Sequence, residues 1–396
     1  MTAPSSQHVT KILHNTTQTK TFSVIQYPHT LQIIAACTRY RMTVPLKTKF
    51  SVKQYFPFFI FILLIGCQKP EPQPIQEPVQ KQSQQDETVD LNLLCKNLEK
   101  NMLAINAERT TFALEQINQD LKLCLPLSTL AEQQHLLKLS NQMYNNFLSV
   151  DRTAPQQVAF EEYAFDLSQH PTIQQNRFEQ LTLRDQYLLK HKGQAYIELY
   201  DRGKGQINYR RSPEYLARIF APYMPQAEQV FIENLAAQNT LPVFSEHILM
   251  IEPHEIVTRA LFWEEYLNQY PKSSYRKDAE YLLQMYSLFL FKGMHDSPVS
   301  DTYLDKYAVQ SSSMDEIEKL AQVKNSHLAV QASKFLQFLQ LSEQQRLQEI
   351  PVQLSLKEQQ SMPEKQLTLR QLDEYLGLQN LSLSNPRDCF SDAVCL

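Results

Sequence analysis

His247, Glu252, His254 and Glu255 fall within nine residues, and imidazole and carboxylate side chains are ordinary zinc ligands. Two ligands on one helix face want a separation of three or four, as in His-Glu-x-x-His, and that motif is absent, the two histidines being seven apart. Glu252-Pro253 reads more simply as a helix start with acidic charge at the positive end of the dipole, so the sequence assigns no metal and no cofactor. The Gly203-Lys204-Gly205 turn, with Arg210 and Arg211 close behind it, is a candidate anion cradle, because backbone N–H groups at paired glycines bind phosphate or carboxylate. It lacks the Gly-x-x-x-x-Gly-Lys-Ser/Thr spacing of a nucleotide loop, and a solvent-exposed turn is the simpler account. There is no Gly-x-Ser-x-Gly elbow for a serine nucleophile. Glu161/Glu162 and Glu264/Glu265 are sequence neighbours, so on a helix they point about 100° apart and make no acid/base pair. No catalytic residue is assigned.

The cysteine with the most informative surroundings is Cys67. Before it, residues 55–66 form an apolar run, too short to span a bilayer as a helix, which takes about 20 residues. The run suits the h-region of a secretory signal, with Lys47, Lys49 and Lys53 as its positive n-region. It ends in Leu64-Ile65-Gly66-Cys67, which resembles the lipobox of bacterial lipoproteins. The competing reading is a short membrane anchor that happens to end in cysteine. The resemblance implies a diacylglycerol on the Cys67 thiol, cleavage of the bond before it, and acylation of the new amino group. Two or three acyl chains suffice for stable anchoring to a lipid bilayer. Met42 gives an n-region of ordinary length, so residues 42–66 read as the signal peptide and 1–41 as a non-native upstream extension. Gln68 stands where Asp would retain the protein in the inner membrane of a Gram-negative cell. The family's sorting rule therefore implies the outer membrane, with the chain facing the periplasm. Residues 67–90, rich in Pro and Gln with almost nothing to bury, read as a disordered tether.

Setting aside Cys37 and Cys67, four cysteines remain: Cys95, Cys124, Cys389 and Cys395. An even number in an exported chain suggests disulfides. Three pairings are open. The favoured one joins Cys95 to Cys124 across two helices folded back on each other, and Cys389 to Cys395 around a small carboxyl-terminal loop. Neither pair has zinc-knuckle spacing.

The elements that must carry these residues read as helices. The chain has only six glycines, at 66, 193, 203, 205, 293 and 377, too few for the phosphate loops and strand turns of parallel-sheet enzymes. A net charge of -4 gives nucleic acid no electrostatic reason to bind, and 43% hydrophobic residues are enough for a real core. The apolar positions 91, 94, 98, 102 and 105 make one helical stripe, and Phe112, Leu114, Ile117 and Leu121 a second. Thr129/Glu132, Ser313/Glu316, Ser355/Glu358 and Thr368/Gln371 have capping-box spacing, and Ser212-Pro213-Glu214 adds a cap followed by proline. Residues 194–211 read either as a small β-hairpin turned at Gly203-Lys204-Gly205 or as a helix and loop. The expected fold class is all-α, built of irregular helical hairpins. The expected divisions are 91–150 (helical hairpin), 151–345 (helical repeats) and 346–396 (helical tail with a disulfide loop).

Within 255–293, two helical patterns flank Tyr270-Pro271-Lys272-Ser273-Ser274, with Ser274 a plausible cap and Ala279 a small residue in the second helix. This stretch resembles the tetratricopeptide-type repeats of outer-membrane assembly lipoproteins over about 40 residues. The resemblance implies a TPR-like right-handed helical array. Residues 171–193 echo 271–293 in length and in their Lys-Gly ending, with Glu-Glu-Tyr upstream of each. Trp263, Tyr266, Tyr281 and Tyr286 sit at helical spacing; the plain expectation is core, and the alternative is a groove for a partner peptide. The functional expectation is a helical interaction scaffold for protein or peptide partners in the cell envelope, in its assembly or maintenance. The alternative is a periplasmic enzyme or enzyme inhibitor whose site residues are scattered along the chain.

Overall fold

The structure, a computed structural model, describes residues 90–169, 175–201, 203, 205–352, 362–378 and 387–396. The proposed upstream extension, signal peptide, Cys67 and nearly all of the tether lie outside the described residues. The described body is mostly helical, as expected, with three small two-stranded hairpins. None of its helices is long and apolar enough to cross a membrane.

Helix α1 (Leu91–Leu103) begins where the Asp90 carboxylate accepts from the amides of Asn92 and Leu93, at 3.0 and 3.3 Å. It pairs with α2 (Thr111–Cys124), and the apolar stripes deliver Leu98 and Met102 with Leu114, Ile117 and Leu121 into the core. The Cys95–Cys124 disulfide ties the pair. Helix α3 (Leu130–Phe147) opens with the expected capping box: Thr129 N–H donates to Glu132 Oε2 at 2.7 Å, and Glu132 N–H to Thr129 Oγ1 at 3.4 Å.

Helices α4 (Ala154–Gln169), α5 (Gln175–Phe178) and α6 (Leu183–Lys190) follow. The span 171–193 therefore does not repeat the single long helix of 271–293, because its chain turns at Gln180–Thr182 before α6 begins. Phe160, Tyr163, Ala164, Leu181 and Ile207 form a small second core. Its clamp is the Asp185 carboxylate, which accepts from Arg152 (Nη2 at 2.5 Å), Thr182 Oγ1 (2.7 Å) and Tyr209 Oη (3.1 Å). The Arg152 guanidinium also lies 3.8 Å from the Phe160 ring centre.

The hairpin reading of 194–211 is the one realised. Strand β1 (Ile197–Asp201) pairs antiparallel with β2 (Ile207–Arg211) in the register Ile197↔Arg211 to Asp201↔Ile207. Helices α7 (Glu214–Ile219) and α8 (Gln226–Gln238) come next, then the short pair β3 (Phe244–Ser245) and β4 (Ile248–Leu249). The pair α9 (Pro253–Gln269) and α10 (Arg276–Phe291) is joined by the Tyr-Pro-Lys-Ser-Ser turn. The buried Glu228 carboxylate holds that turn, accepting from Ser274 N–H at 2.9 Å and from the hydroxyls of Ser274 and Ser273 at 3.0 and 3.3 Å. Ser274 thus bonds to a neighbouring helix and does not cap α10. Gly293, at φ +75°, ends α10 and opens β5 (Gly293–Met294), which pairs with β6 (Ser297–Pro298). A side chain there would press on the backbone of Pro298 and Val299.

The remaining helices are α11 (Ser311–Leu320), α12 (His327–Phe338), α13 (Glu343–Glu349) and α14 (Glu364–Leu376). Two expected caps are displaced. Ser313 lies buried inside α11, and Thr368 lies inside α14, donating its hydroxyl to Glu364 O. The Ser355/Glu358 box lies outside the described residues. A capping box not anticipated, Ser342/Gln345, opens α13. The larger core cluster draws residues from 91–150, 151–345 and 346–396 alike, from Leu98 to Val394. The residues around the Cys389–Cys395 disulfide are no surface tail: Cys389, Phe390, Ala393 and Val394 are buried in that same core.

Candidate functional site

The carboxyl-terminal loop closes one side of a cleft of about 440 Å³. Helix α3 supplies Asn141, Tyr144 and Asn145, the chain just past it supplies Ser149, the hairpin supplies Tyr200, Tyr209, Arg210 and Arg211, and the loop supplies Ser391 and Asp392. Period and alternation explain the convergence. Asn141, Asn145 and Ser149 recur at helical spacing along and just past α3, while Tyr209 and Arg211 are two apart on β2 and share a face.

Both arginines at the cleft are already committed. Arg210 Nε donates to Glu198 Oε1 at 2.5 Å, its Nη atoms reach Ser391 O and Asn239 O, and its guanidinium covers the Tyr200 ring at 3.9 Å. Arg211 Nη2 donates to Asp392 Oδ2 at 2.5 Å and its Nη1 to Ser140 Oγ at 3.0 Å. The Asn239 amide holds the loop from behind, donating to Cys389 O at 2.9 Å and Asp392 O at 2.6 Å. The charges cancel in pairs. Two polar atoms on lining residues nevertheless have no protein partner, Asn141 Oδ1 and Arg211 Nε.

The tyrosines are neutral hydrogen-bonding and packing groups. Burial pushes the phenols of Tyr144, Tyr209 and Tyr215 well above their ordinary range. Tyr144 Oη donates to Ala195 O at 2.7 Å. Among the described residues, the charged side chains lining the cleft, Arg210, Arg211 and Asp392, are all held in ion pairs.

The residues of the anion-cradle candidate are divided between the hairpin turn and its second strand. Gly203 and Gly205 do form the hairpin turn, at φ +108° and +73°, and Lys204 lies outside the described residues. Arg210 and Arg211 do not serve that turn. Adjacent in a strand, they point to opposite faces, one toward Glu198 and the other toward Asp392. The strand alternation was the available signal, and proximity in sequence to the glycines obscured it.

Trp263, Tyr266 and Tyr286 are core residues, and Tyr281 is half-buried. Trp263 Nε1 donates to Gln238 Oε1 at 3.1 Å, and Phe231 packs against Trp263, Tyr266 and Tyr275. Of the His/Glu cluster, Glu255 pairs with Arg259 at 2.8 Å, and His247 packs edge-on against His295. The four cysteines form the two favoured bonds, Cys95–Cys124 and Cys389–Cys395.

Two further hollows carry less. One of about 680 Å³ is lined by Tyr196, Glu198, Asp201 and Glu214, with Glu198 already bound to Arg210. One of about 160 Å³ borders Glu264, whose carboxylate accepts from Ser326 Oγ and the amides of His327 and Leu328 and so caps α12. No protein-family model, curated protein or solved structure matches the chain.

Proposed function

We propose that the chain is an exported lipoprotein, anchored through an acylated Cys67, whose helical body is a scaffold for protein or peptide partners in the cell envelope. One observation carries this reading. All four cysteines downstream of Cys67 are joined in disulfides, so the mature chain keeps a single thiol, the one at the end of the lipobox-like run. Disulfides persist in oxidising compartments, which supports export. The α9–α10 pair, joined at Tyr-Pro-Lys-Ser-Ser, supports a local TPR-like arrangement, and stacked helix pairs characteristically present concave binding surfaces. On this reading the outer membrane, facing the periplasm, is the destination, and envelope assembly or maintenance is the setting.

The test is metabolic labelling with a radioactive or clickable palmitate in cells making the full chain. The wild type should carry label and run as a processed species. Cys67→Ala should lose the label and accumulate as uncleaved precursor. Label retained by that variant, or cleavage at an unrelated position, ends the lipoprotein reading.

A further inference from the structure

We propose that the end of the α1–α2 hairpin where the chain enters the body docks on the surface of the lipid bilayer, with Leu91, Leu93, Leu123 and Leu127 as the side chains that insert. The Cys95–Cys124 disulfide, with its Cα atoms 5.5 Å apart, fixes the start of α1 against the end of α2. It brings four large apolar residues to that end. Leu91 and Leu93 lie within about a turn before Cys95, Leu123 directly precedes Cys124, and Leu127 ends the short helical turn Leu125–Leu127 that follows. Their exposures are 41%, 57%, 49% and 66%. The buried stripes of the same two helices, Leu98 and Met102 with Leu114, Ile117 and Leu121, are complete without them. Single exposed leucines are ordinary on a protein surface, but four around one helix end mark an interaction site.

The attachment of the preceding chain selects the partner. Only 22 residues separate Cys67 from Asp90, the cap of α1, so this end is held within about 80 Å of an anchor at Cys67 however that stretch runs. No other part of the body is as near the anchor along the chain, and a surface tethered to its target meets it at high effective concentration. A second exposed apolar group, Leu241, Ile248 and Met250 around the β3–β4 pair, has no such tie. Lys96 and Lys122 at the docking end are offset by Asp90 and Glu132, so charge neither drives nor prevents the approach. The contact is apolar: the leucines enter about 5–10 Å into the boundary between headgroups and acyl chains. This docking rests on the reading that the chain is anchored at Cys67 or by the apolar run before it. Palmitate label reports acylation and the experiment below reports the docking, so the two fail separately.

The experiment reconstitutes the full chain in vesicles of phosphatidylcholine and phosphatidylethanolamine, with or without bromine on the acyl chains, which quenches tryptophan at close range. The chain's one tryptophan, Trp263, is fully buried and gives the background. Leu93→Trp and Leu127→Trp should each be quenched at least about twofold more than the wild type, equally at low and at high salt, while Met250→Trp matches the wild type. Leu91→Asp combined with Leu93→Asp should abolish the extra quenching of Leu127→Trp without lowering the melting temperature by more than a few degrees. Tryptophan left unquenched at 93 and 127, in protein that floats with the vesicles, overturns the docking and leaves the anchor standing. Emission at 127 that shifts to the blue with protein concentration, alike in plain and brominated lipid, assigns the patch to a second copy of the chain and overturns it too. So does equal quenching at 250, which means adsorption without a preferred face, or quenching lost at high salt, which means attraction to headgroups without insertion. Protein that fails to float with the vesicles overturns the docking and the anchor together.

Discussion

Arg211 and Asp392, 181 residues apart in sequence, meet inside the protein with Nη2 and Oδ2 at 2.5 Å. Their side chains are 4% and 10% exposed, so the contact is a buried ion pair and not a surface one. It pins the last residues of the chain to a hairpin in its middle, and with Asn239 it fixes the loop that walls the cleft.

Removing one partner of such a pair strands a charge away from water, at a cost of about 3–5 kcal/mol. Asp392→Ala should lose stability in that range by urea denaturation. Replacing both residues with apolar side chains, Arg211→Met with Asp392→Leu, should recover a large part of the loss, because desolvation of the pair is then avoided. If the single variant falls by less than about 1 kcal/mol, solvent reaches the pair and the loop is not pinned as described.

The two disulfides differ in what they constrain. Cys95–Cys124 closes a separation of 29 residues and Cys389–Cys395 one of 6. Loop-closure entropy alone gives about 3.6 kcal/mol for the first and about 2.2 kcal/mol for the second. The double alanine variant at 95 and 124 should therefore lose about 3–4 kcal/mol in chemical denaturation. The variant at 389 and 395 should lose more than its entropic share, because Cys389 and the adjoining Phe390 sit in the core, with Phe390 packed against Phe244, Tyr286 and Phe289. A loss at or below about 2 kcal/mol would show the loop tethered by its sulfurs alone.

What the sequence made legible follows from how local each signal is. The Thr129/Glu132 box and the stripes of α1 and α2 depend on residues a few positions apart; the box forms as read, and the stripes bury Leu98, Met102, Ile105, Leu114, Ile117 and Leu121 while Leu91 and Phe112 at their starts stay exposed. Ser313 and Thr368 carry the same box spacing, yet their helices begin earlier, at Ser311 and Glu364, behind residues that make no side-chain cap, and both hydroxyl residues lie buried within the first turns. The pairing of Arg211 with Asp392, or of Glu228 with Ser274, spans separations that no periodicity encodes. The carboxyl-terminal loop reads as a thin tail because Ser, Asp and Ala carry little hydropathy, although Asp392 and Ala393 are buried beside the core residues Phe390 and Val394. Half of the cleft was therefore invisible: Arg210 and Arg211 stood out in the sequence, but Asn141 and Asp392 had no local mark.

Tyr266 carries a pH dependence. Burial, opposed by the hydrogen bond with Ser273, pushes its phenol up to about 12, against about 10 in the unfolded chain. The folded form thus holds its proton where the unfolded form releases it, and stability is complete below pH 10 and declines as pH rises toward 12. The urea midpoint should fall over this window. Tyr266→Phe should make the fall shallower while lowering the starting stability, since the hydroxyl also donates to Ala227 O at 3.0 Å. A midpoint unchanged between pH 10 and 12 contradicts the burial of this phenol and of the raised Tyr275 beside it.

Glu228 tests how the α9–α10 turn is held. Its carboxylate is the acceptor for Ser274 N–H at 2.9 Å and for the Ser274 hydroxyl at 3.0 Å, and Gln134 donates to Ser274 Oγ from α3 at 2.9 Å. Glu228→Ala removes the acceptor but leaves the amide in place, so each donor left without a partner should cost about 1–3 kcal/mol. Glu228→Gln keeps an acceptor oxygen and should cost less, which separates hydrogen bonding from charge. Amide hydrogen exchange gives the local readout. In Glu228→Ala the Ser274 amide should exchange at least tenfold faster than in the wild type, while amides in the middle of α10 slow or quicken only with global stability. If Ser274 exchange stays coupled to global unfolding in that variant, the proline turn itself fixes the helix pair and the buried carboxylate is incidental to it.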